Sequence, residues 1–105
     1  MSFDGNEGEV ITITQGERWT KTYQTQNEGK VKAHFYGINK LNEITSQSGC
    51  KGIRIYRAID DNGAECLVLV GSDADENDMT DGVLLEMGIK CPPRCKADSP
   101  LDHQS

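Results

Sequence analysis

The 105-residue chain carries a net charge of −6, and its 35% hydrophobic and 27% charged residues are typical of a water-soluble globular protein. This length gives room for a single hydrophobic core, and the longest apolar run, residues 66–70, is far too short for a membrane-spanning helix. The acidic, polar first residues lack the basic and apolar stretches of a secretory signal, which predicts a cytoplasmic protein.

Composition divides the chain into three predicted parts. Residues 1–8 are polar and contain two glycines, and we expect a mobile N-terminal segment. Residues 9–95 are predicted to form one α+β domain. Residues 96–105 are polar and are predicted to be a disordered tail.

The first predicted elements are a short strand at 10–13 and a helix over about 14–26. Thr14 offers a hydroxyl for the N-cap of this helix. Glu17 follows three residues later, and this spacing is typical of a capping box.

The next stretch changes its hydrophobic period. Alternating apolar residues predict a strand at 31–36. Ile38, Leu41 and Ile44 then follow helical spacing and predict a second helix over about 38–47. The change of period marks the boundary between the two elements.

The clearest pattern in the chain is a β-hairpin. Residues 53–59 and 65–70 are rich in β-forming side chains. The dipeptide Asn62-Gly63 between them is favoured in tight hairpin turns, because both residues tolerate a positive φ.

A two-residue turn at that dipeptide would pair Ile59 with Cys66 and Ile55 with Val70. Both faces of the hairpin are then largely apolar, so we expect it to be shielded from water on both sides. Residues 83–87 predict a further strand or a short helix.

Together these elements predict an α+β fold. Its centre is a small, mainly antiparallel sheet built around the hairpin 53–59/65–70. The helices at about 14–26 and 38–47 are expected to pack on this sheet and to cover its apolar side chains.

Four segments of the chain together resemble a family of small proteins of Bacteroidetes to which no activity is assigned. They are Lys-Ala-His-Phe-Tyr-Gly at 32–37, Gly-Cys-Lys-Gly-Ile-Arg-Ile-Tyr at 49–56, the acidic loop at 71–78, and Cys-Pro-Pro-Arg-Cys at 91–95. The resemblance covers most of residues 10–95. It implies a bacterial, single-domain protein and implies nothing about its chemistry.

The four cysteines suggest a metal site. Cys91 and Cys95 match one half of a structural zinc site, in which two cysteines are separated by two to four residues. Zinc takes four thiolate or imidazole ligands, so Cys50 and His34 complete the candidate set, with Cys66 as the alternative ligand. The candidate cofactor is therefore zinc.

The sequence leaves two other roles open for these cysteines. Cys91 and Cys95 are candidates for disulfide or redox chemistry, in which Arg94 would stabilise a thiolate at Cys95. Redox enzymes favour two residues between their cysteines, and this pair has three. The other alternative is that the cysteines are structural, with Cys66 packed in the core.

The acidic segment 73–78 places oxygen-bearing side chains at the first, third and fifth positions of a calcium-type loop. Its sixth position should be glycine and is Asp78, and its twelfth should be glutamate and is Leu84, which excludes an EF-hand. A looser cation site is the alternative, with candidate ligands Asp73, Asp75, Asn77 and Asp81. We favour a solvated turn whose side chains accept hydrogen bonds from their own backbone.

Residues 18–57 carry eight Lys or Arg and two Glu, interleaved with aromatic residues, which is a mixture found on nucleic-acid-binding surfaces. Trp19 and Tyr23 share one helical face, and because the chain has only six aromatic residues we expect both to anchor the core. An acidic chain is repelled by nucleic acid at long range, so nucleic acid is the less favoured partner.

The sequence contains no nucleophile elbow, no P-loop and no dinucleotide-binding glycine motif. We therefore favour a non-enzymatic binding or assembly module, whose partner is an unidentified protein or a second copy of the chain. The alternatives are a thiol-based redox protein using Cys91 and Cys95, and a nucleic-acid binder using residues 18–57.

Overall fold

The computed structural model describes residues 2–103. Their elements, in chain order, are α1 (Ile13–Gln26), β1 (Ala33–Phe35), α2 (Ile38–Thr45), β2 (Cys50–Ile59), β3 (Glu65–Asp73), β4 (Leu84–Leu85) and β5 (Ile89–Cys91). Every pairing between these strands is antiparallel. The predicted α+β class, with two helices and antiparallel sheet structure, is confirmed.

The described residues group into two compact units. The first unit, residues 2–7 and 36–88, contains α2 and a three-stranded sheet in the order β2-β3-β4. The second unit, residues 8–35 and 89–103, contains α1 and the two-stranded sheet β1-β5. No helix formed by residues 2–103 is long and apolar enough to cross a bilayer.

Parts of the predicted terminal segments have tertiary contacts within these units. In the first unit the Phe3 N–H donates to the Ala74 carbonyl at 3.0 Å. In the second unit Asp102 forms an ion pair with Lys32. The division into 1–8, 9–95 and 96–105 stays a prediction, and its residues 1, 104 and 105 lie outside the described part of the chain.

The first helix has a different N-cap from the one expected. The Thr12 hydroxyl accepts from the Gln15 N–H at 3.1 Å, and the Gln15 side chain accepts from the Thr12 N–H at 3.1 Å, which forms a complete capping box. The cap predicted at Thr14 is therefore wrong, because glutamine serves at the third helical position as well as glutamate does. The strand predicted at 10–13 is also wrong, since Ile13 already belongs to the helix.

The second helix is confirmed, and it ends at Thr45 rather than at residue 47. It packs against β2 and β3, and its Ile44 side chain is fully buried there. Gln47 follows the helix, and its amide nitrogen donates to the Ile44 carbonyl at 2.9 Å. Its amide oxygen accepts from the Val83 N–H at 2.9 Å, so one side chain joins the helix end to the segment before β4.

The predicted hairpin is confirmed as β2 and β3, but its expected register is wrong by one residue. Ile59 pairs with Glu65 rather than with Cys66, and Ile55 pairs with Leu69 rather than with Val70. A shift of one residue exchanges the cross-strand neighbours on both faces of the pair.

The cause of the shift is a turn of three residues. The Asp60 N–H donates to the Ala64 carbonyl at 2.9 Å, and the Gly63 N–H donates to the Asp60 carbonyl at 3.0 Å. Gly63 has φ +81°, as expected for the glycine that follows a type I turn in a three-residue hairpin loop. The Asp60 carboxylate also accepts from the Asn62 and Ala64 N–H groups and so favours the longer turn.

The two hairpin strands differ in exposure. β3 is the central strand, and its buried residues are Cys66, Leu69, Val70, Gly71 and Ser72. The prediction that Cys66 packs in the core is therefore confirmed. β2 lies at the edge of the sheet, and the expectation that it is shielded is wrong, because Ile55 is 57% exposed and Ile59 is 71% exposed.

Two short strands complete the sheets. The segment predicted as a strand or helix at 83–87 contains β4, which pairs with Leu69 and Val70 of β3. The predicted strand at 31–36 is confirmed as the shorter β1, and it pairs with β5, which sequence reasoning missed. This pairing sets Ala33 opposite Cys91 and so fixes the position of the first cysteine of the C-terminal pair.

Candidate functional site

A disulfide joins Cys91 to Cys95 in the second unit, across a Cα–Cα distance of 4.9 Å. Cys91 is the last residue of β5 and is buried, whereas Cys95 lies in the loop beyond and is half-buried. The Cys91 carbonyl accepts from the Lys32 N–H at 2.6 Å, so the strand pairing fixes this end of the disulfide. Cys95 is therefore the end of the disulfide that is more accessible to solvent.

A first cavity, of about 360 Å³, lies in the first unit, and a second, of about 330 Å³, lies in the second unit. The second unit also has a shallower and larger cavity of about 410 Å³ beside the start of α1. The second cavity is bounded by both cysteines of the disulfide. Its charged lining residues are Lys32, Arg94, Lys96 and Asp102, of which Lys32 and Asp102 form an ion pair. One carboxylate oxygen of Asp102 lies within 4.8 Å of both sulfurs.

The candidate zinc ligands are distributed over both units. Cys50 belongs to the first unit, where its Sγ donates to the Gly52 carbonyl at 3.3 Å, and the alternative ligand Cys66 is buried in β3. His34 belongs to β1 in the second unit, opposite Lys90. The zinc site stays a prediction, and its Cys91 and Cys95 thiolates become available only after the disulfide is reduced.

The first unit holds a polar cluster centred on Asp78. One oxygen of its carboxylate accepts from the Arg54 guanidinium at 2.6 Å and from the Ser72 hydroxyl at 3.2 Å, and the other accepts from the Tyr56 hydroxyl. The Tyr56 hydroxyl first, then the Ser72 hydroxyl and the Arg54 guanidinium, hold the pKa of Asp78 below its usual value. Asp78 therefore stays ionised in mildly acidic solution.

Sequence reasoning missed this cluster, although two signals point to it. Arg54 and Tyr56 are separated by two residues on a strand and therefore share a face. Asp78 follows the end of β3, the neighbour of that strand. The Phe3 ring lies 5.5 Å from the Arg54 guanidinium carbon and completes the cluster with a cation–π contact.

Apart from Asp78, the acidic loop forms a turn in which the Asp73 side chain accepts hydrogen bonds from the backbone of the loop. The Asp73 carboxylate accepts from the Asp75 N–H at 3.0 Å and from the Asn77 N–H at 2.9 Å. The preference for a turn whose side chains accept from their own backbone is confirmed for Asp73. The looser cation site at Asp73, Asp75, Asn77 and Asp81 stays a prediction.

Trp19 and Tyr23 are not core anchors, which corrects the sequence-based expectation: they are 53% and 46% exposed. The reason is that the inner face of α1 is polar. The Thr20 hydroxyl lies 3.0 Å from the His103 Nε2, and the Gln24 side chain donates to the Leu101 carbonyl at 2.9 Å. Hydrogen bonds, together with the close approach of the Leu101 side chain to Gly16, hold this helix to the C-terminal residues of its unit.

The basic segment 18–57 does not present eight unpaired charges. Half of its basic side chains form ion pairs, which are Lys32–Asp102, Lys40–Glu43, Arg54–Asp78 and Arg57–Glu65. Ion pairing lowers the local positive potential that phosphate groups need. The nucleic-acid interpretation stays an unsupported alternative.

Three features of the described residues therefore have functional chemistry: the disulfide beside its cavity, the Asp78 cluster, and the exposed edge strand β2. The first places a disulfide beside a cavity that basic and acidic side chains line, and the third combines an edge strand with exposed apolar side chains. The chain matches no protein-family model, no curated protein and no solved structure.

Proposed function

We propose that the chain is a non-enzymatic assembly module that joins a second copy of itself through the open edge of β2. The observation that supports this function is the exposure of Ile55, Tyr56 and Ile59 along this edge strand. An open edge offers N–H and C=O groups to another strand, and exposed apolar side chains favour that pairing.

The N-terminal segment lies beside the start of β2, where a Cβ on Gly5 would be 3.4 Å from the Lys51 carbonyl oxygen, but the later part of the edge has little protection against pairing. Soluble proteins usually guard an edge strand with proline, a bulge or outward charges. From Ile53 to Ile59 the strand has no proline and keeps a regular register with β3. Its two charged residues are Arg54 and Arg57, and the Arg54 charge is compensated by Asp78.

The order of side chains along β2 suits antiparallel pairing centred on Tyr56. Such pairing sets Ile53 opposite Ile59 of the second copy and Ile55 opposite Arg57, whose alkyl stem is apolar. Both copies then contribute the same surface, as a two-fold symmetric interface requires. The joined sheet would contain the three strands of the first unit from each copy.

The number of exposed hydrophobic residues, compared with the number that are buried, also supports assembly. Among residues 2–103, five hydrophobic residues are buried and fourteen large hydrophobic residues are exposed. Removing apolar surface from water is the main favourable contribution to most protein association. A chain with this balance gains stability by covering part of its surface with another protein.

The proposed setting is the cytoplasm of a bacterium, in keeping with the resemblance to proteins of Bacteroidetes. Cytosolic thiols are normally kept reduced, and disulfides that form there are usually transient. This setting therefore requires that the Cys91–Cys95 bond can be opened and closed.

Sedimentation velocity over a range of concentrations tests the assembly. We expect wild type to sediment as a dimer that dissociates on dilution. In Ile59→Lys a charge lies on the edge strand, and we expect a monomer. Ile38→Lys is the matched control, because Ile38 is 72% exposed and Ile59 is 71% exposed, and we expect it to dimerise like wild type.

Circular dichroism of each variant establishes that it is folded, so that loss of the dimer is not a consequence of unfolding. A wild-type protein that stays monomeric at every concentration would contradict the proposal. So would equal weakening of the dimer by Ile38→Lys and Ile59→Lys, because the interface would then not lie specifically on β2.

A further inference from the structure

We infer that the Cys91–Cys95 disulfide exchanges with small anionic thiols, which attack it at Cys95. The inference rests on the asymmetry of the bond and on the charges around it. Cys91 is only 8% exposed and ends β5, whereas Cys95 is half-buried at the edge of a cavity of about 330 Å³. This volume is at the lower end of the range for small-molecule sites.

The residues around the bond keep the two sulfurs unequal. Cys91 is held by its pairing with Ala33 and by the hydrogen bond from the Lys32 N–H to its carbonyl. Beyond it, the Arg94 N–H donates to the Lys90 carbonyl at 3.0 Å, which shapes the loop that carries Cys95. An incoming thiol therefore meets the Cys95 sulfur, and Cys91 stays in place as the leaving group.

The lining charges select the class of thiol. Lys32, Arg94, Lys96 and Asp102 are the charged side chains of the cavity lining. Lys32 is ion-paired with Asp102, and the Lys96 Nζ lies 3.5 Å from the Asp98 carboxylate, so the attraction of the cavity for an anion depends chiefly on Arg94. The Asp102 carboxylate lies within 4.8 Å of both sulfurs, and its ion pair with Lys32 reduces its repulsion of an attacking or leaving thiolate. A basic side chain in the lining attracts a thiol that carries carboxylates and raises its local concentration.

The exchange is a two-step reduction of the protein disulfide by two molecules of the thiol. In the first step the thiolate bonds to the Cys95 sulfur, the Cys91–Cys95 bond breaks, and its electron pair leaves on the Cys91 thiolate. In the second step another thiolate attacks the mixed disulfide, releases the oxidised small-molecule disulfide and leaves the Cys95 thiolate. Two electrons pass to the protein, and the two protons of the thiols go to the cysteines or to solvent.

The second unit contains every residue used in this exchange, whereas the assembly edge belongs to the first unit. The two proposals therefore stand on separate residues. Failure of one measurement leaves the other intact.

Glutathione, which carries carboxylates, and the cationic thiol cysteamine are the probes. The oxidised full-length protein is mixed with each thiol, quenched with an alkylating reagent and analysed by mass spectrometry of the intact chain and its peptides. We expect a glutathione adduct on Cys95 before the bond is fully reduced. We also expect glutathione to react about tenfold faster than cysteamine after correction for thiolate fraction.

Arg94→Gln tests the role of the charges. We expect it to reduce the preference for glutathione at least twofold while the reaction with neutral 2-mercaptoethanol stays within a factor of two. Lys51→Gln makes the same change of charge in the first unit and is expected to leave the preference unchanged. An adduct on Cys91, equal rates for the two charged thiols, or a bond that resists all three thiols would overturn the inference.

Discussion

Asp78 accepts a hydrogen bond from the Arg54 guanidinium at 2.6 Å, and this contact joins the acidic loop to the edge strand β2. The Tyr56 hydroxyl donates to the second oxygen of the same carboxylate. A backbone contact reinforces the arrangement, since Ser72 and Asp78 form an antiparallel bridge. The Asp78 carboxylate and the backbone bridge to Ser72 thus hold the acidic loop against the sheet.

The stability that Asp78 contributes should depend on pH with a definite sign. Its folded-state pKa is lowered, so its contribution is fully present above the ordinary aspartate pKa of about 3.9 and is lost as pH falls through the lowered value. We expect Asp78→Asn to have a lower Tm than wild type at neutral pH. The two Tm values should converge as the solution becomes strongly acidic.

Thermal unfolding of both proteins from pH 7 to strongly acidic buffer measures this difference. Asp75→Asn is the matched control, because Asp75 lies in the same exposed turn and is expected to show no such convergence. A Tm difference between wild type and Asp78→Asn that is the same at every pH would show that Asp78 does not contribute through its charge.

Gly71 is predicted to accept a Cβ only if its neighbouring side chains move. A Cβ at this buried position would lie 3.1 Å from the Cys50 Sγ, 3.1 Å from the Gln47 Nε2 and 3.2 Å from the Ile44 Cγ2. We expect Gly71→Ala to lower the free energy of unfolding by about 1–3 kcal/mol, as overpacking of a core usually does. Urea unfolding measures the loss, and Gly52→Ala, with open space around its Cβ, should cost less.

Gly63 is predicted to be required for the observed hairpin register. Its φ of +81° is unfavourable for a residue with a Cβ, and Gly63→Ala should cost about 1–2 kcal/mol of stability in urea unfolding. Gly63→Asn should cost less, because asparagine visits this region more readily. Equal losses for the two variants would mean that the turn rearranges to avoid the positive φ.

Thr12 and Thr14 distinguish the observed helix cap from the expected one. Thr12→Ala should remove the bond to the Gln15 N–H and destabilise α1 by about 1 kcal/mol, measured by amide hydrogen exchange within the helix. Thr14→Ala lies inside the helix and should stabilise it slightly, since alanine is the better helix former. If Thr12→Ala stabilised α1 and Thr14→Ala destabilised it, Thr14 would be the N-cap residue.

Local patterns identified most of the elements but not their partners. The Asn62-Gly63 turn signal located the hairpin, yet the Asp60 carboxylate lengthened the loop to three residues and shifted the register. Helical spacing located α2 and its buried Ile44. The same reasoning placed Trp19 in the core, because spacing shows which residues share a face and not what covers that face.

The candidate sites show the same difference between local sequence patterns and contacts that are distant in the chain. In the sequence, the short spacing of Cys91 and Cys95 made a disulfide between them one of several possible roles. The approach of Asp102 to both sulfurs depends on the return of the chain after the loop. The bond between Arg54 and Asp78 spans 24 residues, and no local pattern records such a contact.

The amino-acid sequence by itself determined the α+β class, the hairpin and the second helix, because backbone preferences and hydrophobic period act over a few neighbouring residues. Only the tertiary structure decided the hairpin register, the exposed edge of β2 and the charges around the disulfide. These depend on contacts between residues distant in the chain, whose energies are settled when all the elements pack together.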